Sequence, residues 1–103
     1  MEYLYIKNWD NYQHYKNRNP PWIKLHAKVL NDRKFTMLPS ASRGLLIQLW
    51  ILASEQEGKV PYDLNEIRFR LRDDSIKLKD IELLRDSGFL NNGKHVQADA
   101  SKG

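Results

Sequence analysis

The chain predicts an α+β fold: mainly helical, with a small β-sheet, arranged as a winged helix-turn-helix behind an N-terminal strand and arm. Three observations carry this expectation. Asp63 followed by Glu66 is a capping-box pattern opening a helix. The Asp73-Asp74-Ser75 turn separates that helix from a second one, which closes at Gly88. Phe89-Leu90, Asn91-Asn92-Gly93 and His95-Val96-Gln97 then read as strand, tight turn and returning strand. Residues 58–97 therefore run short strand, helix, turn, helix, hairpin. Residues 1–21 are expected to form a strand and a basic aromatic arm packed on the domain, 22–97 the winged-helix domain, and 98–103 a frayed tail.

With 103 residues the chain fits one small domain. It has no cysteine, which removes disulfides and thiolate metal sites and fits a reducing, intracellular setting. MEYLYIKNWD carries an acid at position 2 and no apolar run, so neither a secretory signal nor a membrane span is expected there. The formal net charge is +4, and its distribution matters more than its size. Residues 1–34 hold seven Lys/Arg against three acids, whereas residues 61–103 hold eight of each sign. A basic first third is compatible with phosphate binding, and equally with plain solubility.

In chain order, Tyr3 to Trp9 has the aromatic and β-branched content of a strand, expected at the edge of a sheet. Residues 10–21 lack apolar periodicity and are expected to form a loop or arm. Trp9, Tyr12, Tyr15 and Trp22 interleave there with Lys16, Arg18 and Lys24. Such a pattern can stack on bases and meet phosphates, or can simply pack the arm onto the domain. Pro20-Pro21 suits the first turn of a helix over 22–31, with Ile23, Ala27 and Leu30 facing inward and Lys24 and Lys28 sharing the outer face. Residues 35–38 are expected to connect, and Ser40 or Ser42 to cap a central helix over 41–56. That helix is apolar on most sides. Leu45, Leu49, Leu52 and Ala53 are expected in the core, with Trp50 beside them. Gly58 takes a left-handed cap and Lys59-Val60-Pro61 a short strand. Helix 64–72 buries Leu64, Ile67 and Leu71, with Arg68 and Arg72 on its outer face. Asp74 or Ser75 is expected to cap the last helix, 76–87.

A helix-turn-helix grips DNA by laying its second helix in the major groove while flanking cations hold phosphates. Lys77 and Lys79 are the credible groove contacts, because Asp80, Glu82 and Asp86 repel phosphate further along. Lys16, Arg18, Lys24, Lys28, Arg68 and Arg72, with Lys94 and His95 on the wing, complete the expected DNA-binding set. Each of these is also at home as a solvated or salt-bridged surface charge. Catalysis is not expected. His14, His26 and His95 have no metal-ligand spacing, Ser40 and Ser42 look like helix caps, and the five glycines are isolated, so no phosphate loop, cofactor or metal is expected.

YIKNWDNYQHYKNRNPPWIKLHAKVLND, LLIQLWILASEQEGKVPYDLNEIRFRL and LLRDSGFL together resemble the N-terminal winged-helix domain of phage and prophage replisome organisers, the replication initiation proteins. The resemblance covers about residues 3–97, and the NPPWIK element is its most specific part. It implies binding of origin DNA and recruitment of helicase-loading or other replication proteins by a non-enzyme, in a host cytoplasm or nucleoid; the DNA is expected to be duplex. A protein-interaction module or a homodimeric transcription regulator built on the same surface is the alternative.

Overall fold

The computed structural model describes residues 2–13 and 22–93, with the side chains of Asn11 and Tyr12 excepted. The chain is mainly helical with a three-stranded antiparallel sheet, as the α+β expectation requires. The elements are strand β1 (Tyr3–Ile6), a one-turn helix α1 (Trp9–Tyr12), a 3-10 segment (Ala27–Asn31), a short helix α2 (Arg33–Thr36) and the long helix α3 (Ser40–Ala53). A 3-10 turn (Ser54–Gln56), strand β2 (Lys59–Pro61), helices α4 (Leu64–Leu71) and α5 (Leu78–Asp86) and strand β3 (Leu90–Asn91) follow.

α3 is the hub. Leu45, Leu46, Leu49, Leu52 and Ala53 are all buried, and the helix touches β2, α4 and α5. Leu46, Leu49, Ile67, Ile81 and Leu84 are fully enclosed. Each such side chain contributes roughly 1.5–3 kcal/mol through its removal from water. The expected core residues of α3 are therefore in place, and Trp50 is half-buried, stacked on Phe35 at 6.5 Å. No serine side chain caps α3: Pro39 stands at the cap and Ser40 is already inside the helix. Pro39 holds an extended backbone whose carbonyl accepts from Ser42 and Arg43, so the cap position is taken one residue earlier than expected.

The sheet corrects the placement of β1. It is the middle strand, in the order β2-β1-β3, and not an edge. Leu4 faces Val60 and Ile6 faces Leu90, and these four residues are buried, while Tyr3 and Tyr5 are half-exposed on the other face. Backbone bonds Ile6 N–H to Gly58 O (2.8 Å) and Lys7 N–H to Phe89 O (3.1 Å) extend the pairing beyond the strand. The reason is alternation: a four-residue strand with two inward aliphatic residues satisfies the period of a half-buried strand, and both of its edges find partners. The expected return strand, 95–97, lies outside the described residues.

The expected helix over 22–31 is not formed. Residues 22–26 hold no regular secondary structure, and only Ala27–Asn31 coils, as a 3-10 segment. Gln13 supplies the reason. Its side-chain amide donates to Lys24 O and its carbonyl accepts from Lys24 N–H, both at 2.9 Å. Lys24 thus commits both backbone groups to a side chain eleven residues back and cannot join a helical ladder. Of the residues expected to face inward, Ala27 and Leu30 are consequently exposed and Ile23 is half-buried. The segment expected to be a connector instead contains α2, capped by the Asp32 carboxylate on Lys34 N–H (2.9 Å), and buries Phe35. Arg43 folds back to satisfy the carbonyls of Leu38 (3.0 Å) and Thr36 at the end of that turn. Trp9, expected in a strand or arm, begins α1 and lies against Gly58. At φ +95°, Gly58 adopts a left-handed backbone, and an added Cβ would meet the Trp9 ring.

α4 opens as expected, with Asp63 accepting from Glu66 N–H at 3.2 Å. It ends one residue early because Arg72 turns left-handed, at φ 56°. Ile67 is buried while Leu64 and Leu71 are half-buried. α5 is not capped by Asp74 or Ser75. The Asp80 carboxylate reaches back to Lys77 N–H at 2.8 Å, so the helix starts at Leu78. Ser75 is held elsewhere: its N–H and hydroxyl both donate to Asp73. Gly88 closes α5 at φ +92°, as expected. Among the described residues no helix is long and apolar enough to cross a membrane.

Candidate nucleic-acid interface

Two groups of cations lie at opposite ends of α5. A nine-residue helix is roughly 13 Å long, so they are separate patches.

At the N-terminal end, α4 runs out through Arg68-Phe69-Arg70-Leu71-Arg72 into the turn. Arg68 is half-buried, and its Nε donates to Ile76 O at 2.7 Å, tying the end of α4 to the entry of α5. Arg70 pairs with Glu55. Arg72 occupies the left-handed cap, followed at once by Asp73 and Asp74. Two hydrogen bonds from Ser75, the hydroxyl's first and the N–H's second, hold the Asp73 carboxyl below its usual range, so its negative charge persists here. Lys77 and Lys79, which follow these carboxylates in the chain, are exposed. Phe69 projects between the arginines with 74% of its surface exposed. On α5 itself the exposed residues include Leu78, Lys79, Leu83 and Asp86, a face of mixed character.

At the C-terminal end, a cleft of about 390 Å3 opens between the 22–34 segment, the end of β1 and the Ser87-Gly88-Phe89 turn that leads into β3. Ile6, Trp9, Leu25, Val29, Trp50 and Phe89 give it apolar walls. Among the described residues Lys7, Lys24, Lys28 and Lys34 line it too, against one carboxylate, Asp32, whose Oδ1 already accepts from Lys34 N–H. Lys7, Lys24 and Lys34 are exposed. The Lys34 ammonium lies 4.0 Å from the point where a Cβ on Gly88 would stand, at the root of β3. Positive charge over an apolar cleft is stronger than the same charge in open water, because part of the surrounding dielectric is protein.

The structure therefore brings Lys24 and Lys28 together, though not on a shared helical face, because there is no helix over 22–26 to provide one. It adds Lys7 and Lys34, which the sequence had not singled out. Their inclusion in the basic first third was the only signal. Arg68, Arg72, Lys77 and Lys79 form the other group. Lys16, Arg18, Lys94 and His95 lie outside the described residues. Among the described residues no group of three His, Asp or Glu side chains could hold a metal ion. Comparison of the chain with known protein families, with characterised proteins and with solved structures finds no match.

Proposed function

We propose that the chain is a DNA-binding winged-helix domain of the phage replisome-organiser type, acting without catalysis in a host cytoplasm. The order α3-β2-α4-turn-α5-β3, with β2 and β3 in one sheet, supports the winged-helix reading. The observation that carries DNA binding is the lysine-lined cleft beside the root of β3, where positive charge from the first 34 residues meets the base of the expected wing. In this reading Lys24 and Lys28, with Lys7 and Lys34, hold phosphates and set the register. Lys77 and Lys79 approach the groove, and Lys16, Arg18, Lys94 and His95 extend the contact. Duplex DNA and helicase-loading proteins are the partners.

A band-shift titration of the purified chain on duplex DNA at 50 and 200 mM salt tests this. If only Lys7, Lys24 and Lys34 each neutralise one phosphate, affinity should fall roughly fortyfold between the two, because each contact releases counterions. Absent or salt-insensitive binding sinks the proposal.

The exposed Phe69, Leu78 and Leu83 favour a second reading, in which the α4–α5 surface docks a protein or a second copy of the chain. Light scattering across a tenfold concentration range distinguishes it. A concentration-dependent dimer that Phe69→Ser abolishes would support it, and a strict monomer would remove the homodimer form.

A further inference from the structure

The cleft has more in it than phosphate binding on a duplex would need. A duplex presents phosphates on a convex surface and keeps its bases stacked, so it offers nothing to an apolar cavity of about 390 Å3 walled by two tryptophans and a phenylalanine. A cavity of that size and lining suits a flat, partly apolar group attached to negative charge. We propose that this cleft binds an unpaired nucleotide, with the base inserted between the apolar walls and the adjoining phosphates held by Lys7, Lys24 and Lys34.

Two features favour a nucleotide over an acidic peptide. First, the walls are aromatic at Trp9, Trp50 and Phe89, and every base has a face that stacks on such rings. Trp50 already has Phe35 stacked at 6.5 Å, which fixes the plane of its ring. Finally, several polar wall groups are already engaged within the protein: Gln13 holds Lys24 through both ends of its amide, and Asp32 caps α2. With these committed, stacking and charge would do most of the work, so recognition of the unpaired base should be tolerant of sequence.

The inference rests on the nucleic-acid reading above and deepens it: the domain would prefer a duplex carrying a single-stranded end or an opened base to a fully paired one. The test compares three ligands by fluorescence anisotropy at one salt concentration: a 16-base-pair blunt duplex, the same duplex with a four-thymidine overhang, and the same duplex with four abasic residues in that overhang. The abasic overhang keeps the phosphates and lacks the bases. The expected result is about tenfold tighter binding to the thymidine overhang than to the abasic one, in line with stacking of one base. Equal affinities for the two overhangs would overturn the proposal while leaving duplex binding intact. Binding to none of the three would instead remove the nucleic-acid reading itself. A Trp22→Phe variant leaves Trp9 and Trp50, both cleft residues, as the emitters. Free tetrathymidine should quench their emission, and unchanged emission under tighter overhang binding would place the base elsewhere and overturn the assignment. An alternating Glu-Leu peptide serves as the competing probe. Displacement of the overhang by that peptide, with no quenching by tetrathymidine, would make the cleft a peptide dock and refute the nucleotide.

Discussion

At the N-terminal end of α5 the cations are chiefly arginines, and two of the three on α4 and its cap already have partners: Arg68 on Ile76 O and Arg70 on Glu55. Arg72 sits beside Asp73 and Asp74. At the C-terminal end Arg85 donates to the Tyr62 hydroxyl, while Lys7, Lys24, Lys28 and Lys34 stand around an apolar cleft whose one carboxylate among the described lining residues, Asp32, is committed to capping α2. The formal charges of the two ends look similar in the sequence, yet their chemistry differs. Positive charge that bonds within the protein organises the fold, while positive charge gathered over an apolar wall can attract a ligand. The turn between α4 and α5 is therefore built more like a joint than a grip.

The most forceful way to break this comparison is to reverse charge on one side at a time. Lys24→Glu with Lys34→Glu should weaken DNA binding by a hundredfold or more, about 3 kcal/mol, since each change loses an attraction and adds a repulsion. The melting temperature should hardly move, because both side chains are exposed. Lys77→Glu with Lys79→Glu should cost less than tenfold if the lysine cleft dominates. A reversed ranking would assign the grip to the helix-turn-helix end.

Arg68→Ala sharpens the comparison from the structural side. Removing a charged donor from the half-buried Ile76 carbonyl contact should destabilise the fold by about 1.5–3 kcal/mol. Thermal unfolding should report a drop of roughly 6–20 °C for a domain of this size. DNA affinity measured well below that melting point should change by less than threefold. A large loss of affinity without loss of stability would mean that Arg68 contacts phosphate after all.

Much of this division was legible in the sequence, and its gaps have a common cause. α4 and the close of α5 follow from signals a few residues apart, such as Asp63 with Glu66 and the glycine at 88. The core of α3 follows from its all-round apolar character. What could not be read depends on partners far along the chain. β1 is central because it pairs with residues near 60 and near 90. The helix over 22–31 yields to a side chain at position 13. The cleft draws its lysines from β1's end, the irregular 22–26 stretch, the 3-10 segment and α2, so no local spacing announces it. Arg68 and Arg72, four apart, looked like a shared outer face, but one is a tie and the other a left-handed cap.

That last point gives a smaller prediction. A non-glycine residue at φ 56° stores strain on the order of 1 kcal/mol, which glycine relieves while losing some of the gain to its freer unfolded chain. Arg72→Gly should therefore leave stability unchanged or raise it by up to about 1 kcal/mol in chemical denaturation. Because the variant also removes a cation, its DNA affinity tests the arginine end without a folding penalty. Little change in affinity is expected, and a tenfold loss would restore Arg72 as a phosphate contact.

The smallest effect concerns the Asp73 carboxylate, which keeps the turn from being purely positive. Its hydrogen bonds from the Ser75 hydroxyl and N–H lower its pKa in the folded state relative to the unfolded chain. A depressed acid contributes stability above its unfolded pKa, and that contribution is lost as pH falls through the lower, folded value. The window lies at the acidic edge of the carboxylate range, so near neutral pH the charge beside Arg72 is constant. Ser75→Ala removes the larger of the two causes and leaves the backbone bond. Carbon-detected NMR titration of the Asp73 carboxyl should then show its pKa move up toward the ordinary value, with the acid limb of the stability curve shifting the same way. The carboxylate would still be ionised at neutral pH, so DNA binding there should not change. A gain in affinity at neutral pH in this variant would mean that the Ser75 hydroxyl, and not the aspartate's charge, had been holding the α4–α5 turn away from phosphate.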